Sequence, residues 1–273
     1  MSAGRDHLYM WSPFPRPDQS GTLAETMMRG HMRLKDKTAL VTGGGSGFGD
    51  GIATKFSLEG AHVIVADINA DAAARVADKI GGVAHHLDVA SGDSWRACHA
   101  AHGTPDILVN NAGITHLPAP METIDEAEFD RVLAVNAKSV YLAARQFNAE
   151  MKSRGSGAIL NIASTAGLSP RPNLNWYNAS KGWMITATKT MAVELAPFGI
   201  RVNALCPVAG ETPLLKSFMG QDTPERRAQF LATIPIGRFS TPEDMGNAAC
   251  YLCSDEASMI TGVAMEVDGG RCI

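Results

Sequence analysis

The chain has 273 residues, 45% hydrophobic and 19% charged, with a formal net charge of −4. That length and composition can bury a large α/β core and argue against intrinsic disorder, and the acidic balance argues against a nucleic-acid-binding surface. No apolar run reaches the ~18 residues of a membrane span, and five scattered cysteines favour reduced thiols in a cytoplasmic protein over a disulfide framework.

Residues 1–31 are polar, carry Pro13, Pro15 and Pro17, and lack the apolar core of a signal peptide. They are expected to form a flexible N-terminal extension, with Met28 or Met32 a candidate native start, ahead of one domain over residues 32–273. Continuous apolar runs follow at Thr38 to Thr42, His62 to Asp67, Val83 to Leu87 and Ile107 to Asn110. Others are Ala158 to Ala163, Arg201 to Leu205 and Ala264 to Val267. Because they do not alternate, they predict strands of a parallel sheet covered on both faces.

Helical stretches lie between the strands: Gly49 to Glu59, Ala70 to Lys79, and a long helix within Glu126 to Arg154. Trp176 to Leu195 is stopped by Pro197 and Gly199, and Pro242 to Cys253 follows Thr241 as N-cap. Ser91 to Thr104 reads as a shortened helix. Cys250 and Cys253 form a C-x-x-C without a second ligand pair and read as buried thiols; no metal site is expected. The alternation predicts an α/β single-domain Rossmann fold, a doubly wound parallel sheet of about seven strands flanked by helices.

The first strand runs into Thr42-Gly43-Gly44-Gly45-Ser46-Gly47-Phe48-Gly49 and then a helix. Glycine there permits positive φ, and the absent Cβ lets backbone approach a pyrophosphate lying on the helix N-terminus. Asp67 ends the second strand, where a carboxylate would grip ribose hydroxyls and repel a 2′-phosphate. With no Arg or Lys in the glycine loop, this favours NAD over NADP. Asp88 and Val89, after the third strand, are candidates for holding adenine.

Tyr177 and Lys181 stand at i, i+4 and share a helix face. A free phenol has a pKa of ~10; a nearby ammonium and an oxidised nicotinamide would lower it, making Tyr177 a usable base.

With these residues come Asn110-Asn111-Ala112-Gly113, Asn136, Ser164, the stretch Pro207 to Thr212 and Val267-Asp268-Gly269-Gly270. Together and in this order they resemble the short-chain dehydrogenase/reductase family, over about Leu34 to Ile273. The resemblance implies an NAD-dependent oxidoreductase acting on CH–OH groups. Asn136, Ser164, Tyr177 and Lys181 would be catalytic. Tyr177 would be the general acid/base, Lys181 would hold the nicotinamide ribose, Ser164 the substrate oxygen and Asn136 a relay water.

The implied cofactor residues are Gly43, Ser46, Gly47, Phe48 and Gly49 at the turn, with Asp67, Asp88 and Val89 beyond it. Asn110, Ala112 and Gly113 would shape the floor, Tyr177 and Lys181 would reach the ribose, Pro207 and Val208 would contact the cofactor through main-chain groups, and Thr212 would contact the nicotinamide carboxamide or the pyrophosphate. Val208 stands where the family has glycine, which stiffens that backbone.

The expected partner is a small-molecule alcohol or carbonyl substrate, with no nucleic acid and no membrane, in a homotetramer. Leu214, Leu215, Phe218, Met219 and Phe230 fit an apolar lid or a helix core equally. Arg171 and His116 are candidate contacts for a polar or anionic substrate. Alternatives are a 3-oxoacyl-(acyl-carrier-protein) reductase, which Asp67 and Phe198 disfavour, and a non-catalytic NAD-binding regulatory protein.

Overall fold

The computed structural model describes residues 32–273; the extension expected over residues 1–31 lies outside the described residues. Seven parallel strands, β1 (Thr38–Thr42), β2 (His62–Asp67), β3 (Val83–His86), β4 (Ile107–Asn110), β5 (Gly157–Ile162), β6 (Ile200–Pro207) and β7 (Ala264–Val267), form one sheet. Their order is β3-β2-β1-β4-β5-β6-β7. In each strand successive side chains face opposite sides, so each apolar run feeds two cores. Ala39 and Val41 point to one face and Leu40 to the other; Val63 and Val65 likewise oppose Ile64 and Ala66.

One face is covered by α1 (Gly47–Leu58), α2 (Ala70–Ile80) and α9 (Pro242–Cys253), through Ile52, Phe56, Val76 and Met245 among others. The other is covered by α3 (Gly92–His102), α5 (Ser139–Arg154) and α6 (Asn175–Leu195), through Trp95, Phe147, Met151 and Leu195. β1 pairs with β2 on one side and β4 on the other, so the chain reverses its direction of winding there. A crevice opens at such a point beyond the carboxyl ends of the strands.

One feature differs from the sequence reading. The long helix within Glu126 to Arg154 is interrupted: α4 (Glu126–Leu133) ends in a π-helical turn, Ala134–Lys138, before α5 begins. That insertion sets the bearing of Asn136, and π-turns recur at functional sites. The segment read as a shortened helix is α3, 11 residues long, with the Ser91 hydroxyl accepting from Ser94 N–H.

Cys250 and Cys253 are buried and unpaired, and burial pushes their thiols up to about 11 and about 12, so neither supplies a thiolate near neutrality.

Candidate active site

A cleft of about 680 Å³ lies beyond the strand ends, from the loop after β2 to the segments after β5 and β6. Its floor is built by backbone. Gly43 and Gly47 adopt φ of 61° and 56°, in the left-handed region where side chains are disfavoured. Gly49 lines no part of the cleft, but a Cβ there would stand 2.1 Å from the Gly43 carbonyl oxygen. Its bareness lets α1 dock on the turn. The Thr42 hydroxyl donates to Val109 O and accepts from the Asn111 and Ala112 amides, while Asn111 Nδ2 donates to the Thr42 and Gly43 carbonyls. β1 and β4 are thereby locked where they diverge.

Ser46, the N-cap of α1, makes no side-chain cap, and with Gly47 and Phe48 it faces the cleft. Free amides at that helix start suit a pyrophosphate. At the far end Asp67, Asp88 and Val89 line the wall with Ile68. Asp67 accepts from Gly45 N–H (3.0 Å) through Oδ2 and from Asn69 N–H (2.9 Å) through Oδ1, which fixes its carboxylate beside the glycine turn. Counting only the loop misses a cation from α2: Arg75 donates to the Gly45 carbonyl (3.2 Å).

Ser164, Tyr177 and Lys181 meet at the other end. Ser164 ends the loop after β5 and caps a short 3₁₀ turn, accepting from Ala166 N–H. Tyr177 and Lys181 project from α6 and are each only 4% exposed. The ammonium lies 5.9 Å from the Tyr177 ring centre and donates to Ile162 O at 2.7 Å.

Burial pushes the Tyr177 phenol up to about 12, with the facing Ser164 hydroxyl pulling the other way. Burial also pulls Lys181 down to about 8. The expected depression of the phenol by its neighbour is therefore not what the protein alone produces. Desolvation outweighs the hydrogen bond that Ser164 gives the phenol.

Gly113 passes so close that a Cβ would lie 3.3 Å from the Lys181 nitrogen, and Ala112 lines the cleft beside it. Two expected residues lie behind this surface. Asn136 is fully buried; its side chain accepts from Ile114 N–H and donates to Ile114 O and the Ser180 hydroxyl. Asn110 donates to Asn161, which donates to Thr188, a buried chain joining β4, β5 and α6.

Pro207, Val208 and Thr212, after β6, line the crevice. Gly210, which spacing alone does not mark, lines it too; a Cβ there would meet the Phe48 ring at 2.3 Å. The glycine absent at position 208 is present two residues on, within the same Pro207 to Thr212 stretch. The apolar residues beyond it divide. Leu215 and Met219, on α7 (Leu215–Met219), pack with Val208, Ile234 and Phe239 in a small core. Leu214, Phe218 and Phe230 face the cleft, Phe230 from α8 (Pro224–Leu231).

Phe218 meets Tyr177 edge-on at 5.0 Å. Arg171 lines the cleft, whereas buried His116 does not. Glu266, Asp268 and Cys272 also converge near β7, but both Asp268 oxygens accept from backbone, the Gly270 and Cys272 amides.

The family model described as enoyl-(acyl carrier protein) reductase matches residues 43–271, from the glycine turn to two residues short of the last. The chain belongs to the short-chain dehydrogenase/reductase family. This family member is 46% identical over 252 residues to 4-formylbenzenesulfonate dehydrogenase of Comamonas testosteroni, covering 89% of this chain and 100% of the relative. Cyclopentanol dehydrogenase of a Comamonas species is 38% identical over 247 residues, covering 87% and 98%. Among solved structures, a 3-ketoacyl-(acyl-carrier-protein) reductase of Brucella melitensis, in complex with NADH, superposes with a TM-score of 0.83 at 48% identity. The match covers 88% of this chain and 100% of that one.

This dehydrogenase/reductase is therefore an oxidoreductase acting on alcohol or carbonyl groups with a nicotinamide cofactor.

Proposed function

We propose that the enzyme transfers hydride between NAD(H) and a secondary alcohol or ketone, with Tyr177 as the general acid/base. The observation that carries this is the meeting of Ser164, Tyr177 and Lys181 at one end of a cleft whose other end is lined by Asp67. The bare glycine turn and the uncapped start of α1 fit a dinucleotide pyrophosphate, and Asp67 beside them fits an unphosphorylated adenosine ribose. A bound nicotinamide supplies the carbon that accepts hydride and, when oxidised, a positive charge.

Ser164 Oγ donates to the substrate oxygen and steadies its developing charge. Tyr177 Oη takes the hydroxyl proton in oxidation and returns it in reduction. In this reading Lys181 Nζ holds the nicotinamide ribose and helps ionise the phenol, opposing the burial that holds it protonated. Asn136, through Ile114 and Ser180, braces the turn that carries Gly113.

Asp67 argues for NAD, and Phe198 in place of a basic residue argues against a carrier-protein reductase. Exposed Tyr141 on α5 and Trp183 and Val193 on α6 suit packing between subunits in a homotetramer, for which light scattering gives the mass. The free cysteines suit the cytoplasm.

The test is a panel of secondary alcohols and ketones with NAD(H) and NADP(H), followed by nicotinamide absorbance, for the wild type and Tyr177→Phe. The wild type is expected to turn over with NAD, and Tyr177→Phe to lose about 10³-fold in kcat/KM. Equal rates in the two proteins would remove Tyr177 from the chemistry.

A further inference from the structure

The cleft-lining cations have different occupations. Lys181 donates to Ile162 O beside Tyr177. Arg131 is held bidentately by Glu128, at 2.9 and 2.6 Å. Arg171 has no acid partner: among the described residues it takes part in no ion pair. Its guanidinium lies over the Phe230 ring, 4.5 Å from the centre, and donates to the Thr233 hydroxyl at 3.1 Å. A guanidinium carries five N–H donors, so most of its donors are left for a ligand.

A second arginine stands behind the first. Arg271, after β7, donates to Ser169 on the same loop as Arg171, and its Nε is buried without a partner. Burial and the charge of Arg271 push the pKa of Arg171 down, against a smaller opposing pull from Cys272.

The loop is also pinned to the catalytic helix. Asn178, next to Tyr177, donates to Arg171 O at 2.7 Å. The walls between are apolar: Leu174, Leu214, Phe218 and Phe230.

We infer that the substrate end of the cleft is an oxyanion-recognition site. Arg171, with Arg271 behind it, binds a carboxylate or sulfonate carried on a compact apolar or aryl body whose alcohol carbon faces Tyr177. This rests on the hydride-transfer reading of the same cleft. The planar fork of Arg171 matches either group bidentately, and Phe230 keeps the fork flat and in place. Arg171 is thus a specificity residue, acting on binding and not on proton transfer.

Matched secondary alcohols test it: 4-(1-hydroxyethyl)benzoate and 4-(1-hydroxyethyl)benzenesulfonate against neutral 1-phenylethanol and the methyl ester of the benzoate, each with NAD. The wild type is expected to favour the charged members by at least about tenfold in kcat/KM. Arg171→Gln should bring the charged-to-neutral ratio near unity, mainly through KM for the charged members. Arg171→Lys should restore part of the preference, and Arg271→Gln should weaken it less than Arg171→Gln. Preference for one charged member over the other assigns carboxylate or sulfonate.

Calorimetry of 4-acetylbenzoate against acetophenone, with NADH present, reads the same preference without turnover. Equal handling of charged and neutral compounds in either assay, or an unaltered ratio in Arg171→Gln, overturns the proposal. Turnover of none of the alcohols would instead fail the hydride-transfer reading, and the calorimetry would still decide the anion site.

Discussion

The two ends of the cleft are made from different material. The end proposed for the cofactor is largely main chain: Gly43 and Gly47 at positive φ, Gly49 bare against the Gly43 carbonyl, and Asp67 clasped by the amides of Gly45 and Asn69. The end proposed for the substrate is side chain: Phe218 edge-on to Tyr177, Phe230 under Arg171, and Leu214 beside them. A backbone site tolerates almost no change at its glycines, because nothing there can move aside. A side-chain wall can repack, so its residues set which substrate is taken without deciding whether hydride moves at all.

That contrast can be broken by substitution. Gly49→Ala is expected to cost the most. Its methyl would sit 2.1 Å from a carbonyl oxygen, so α1 or the turn must shift, with a loss of about a hundredfold in kcat/KM for NAD. A lowered melting temperature should accompany it. Normal kinetics would show that the turn is softer than its packing implies.

Asp67→Ser should raise the NADP-to-NAD ratio of kcat/KM by about tenfold, since it removes the repelling carboxylate while Arg75 already sits at the Gly45 carbonyl. An unmoved ratio would deny Asp67 its discriminating role. Phe218→Ala, at the substrate end, should change alcohol KM only by about threefold to tenfold and leave NAD binding alone. A loss as large as that of Gly49→Ala would erase the distinction between the two ends.

The smallest effect is on stability. Lys181 is held at about 8 in the fold against an ordinary 10.5, so between those values the unfolded chain carries the extra proton. Stability therefore rises with pH across that window. Relative to Lys181→Met, the wild type should gain a few degrees in melting temperature from pH 8 to 10.5. A constant difference would mean that Lys181 titrates normally.

Much of this was legible in the residues. The seven strands sit within a residue or two of their apolar runs, and most of the expected site residues line one cleft. Asn136, Asn110 and Gly49 lie behind it, because sequence spacing shows that a residue belongs near a site but not which way it points. The π-turn at Ala134–Lys138 escaped notice since one extra residue in a turn barely disturbs helical periodicity. Gly210 and Arg75 carry no spacing signal, because each reaches the cleft or its turn only through the folded path of a segment outside the glycine motif.

The sequence by itself determined the sheet, the glycine turn, the acid at the end of β2 and the Tyr177–Lys181 pair. These rest on local rules: short continuous apolar runs for strands buried on both faces, the φ freedom of glycine and the pitch of a helix. Only the tertiary structure decided that burial raises the phenol and lowers the ammonium, that Leu215 and Met219 serve a core while Phe218 and Phe230 serve the cleft, and that Arg171 stands near Arg271 without an acid. Those outcomes depend on desolvation and on contacts between residues up to a hundred positions apart, which no local pattern encodes.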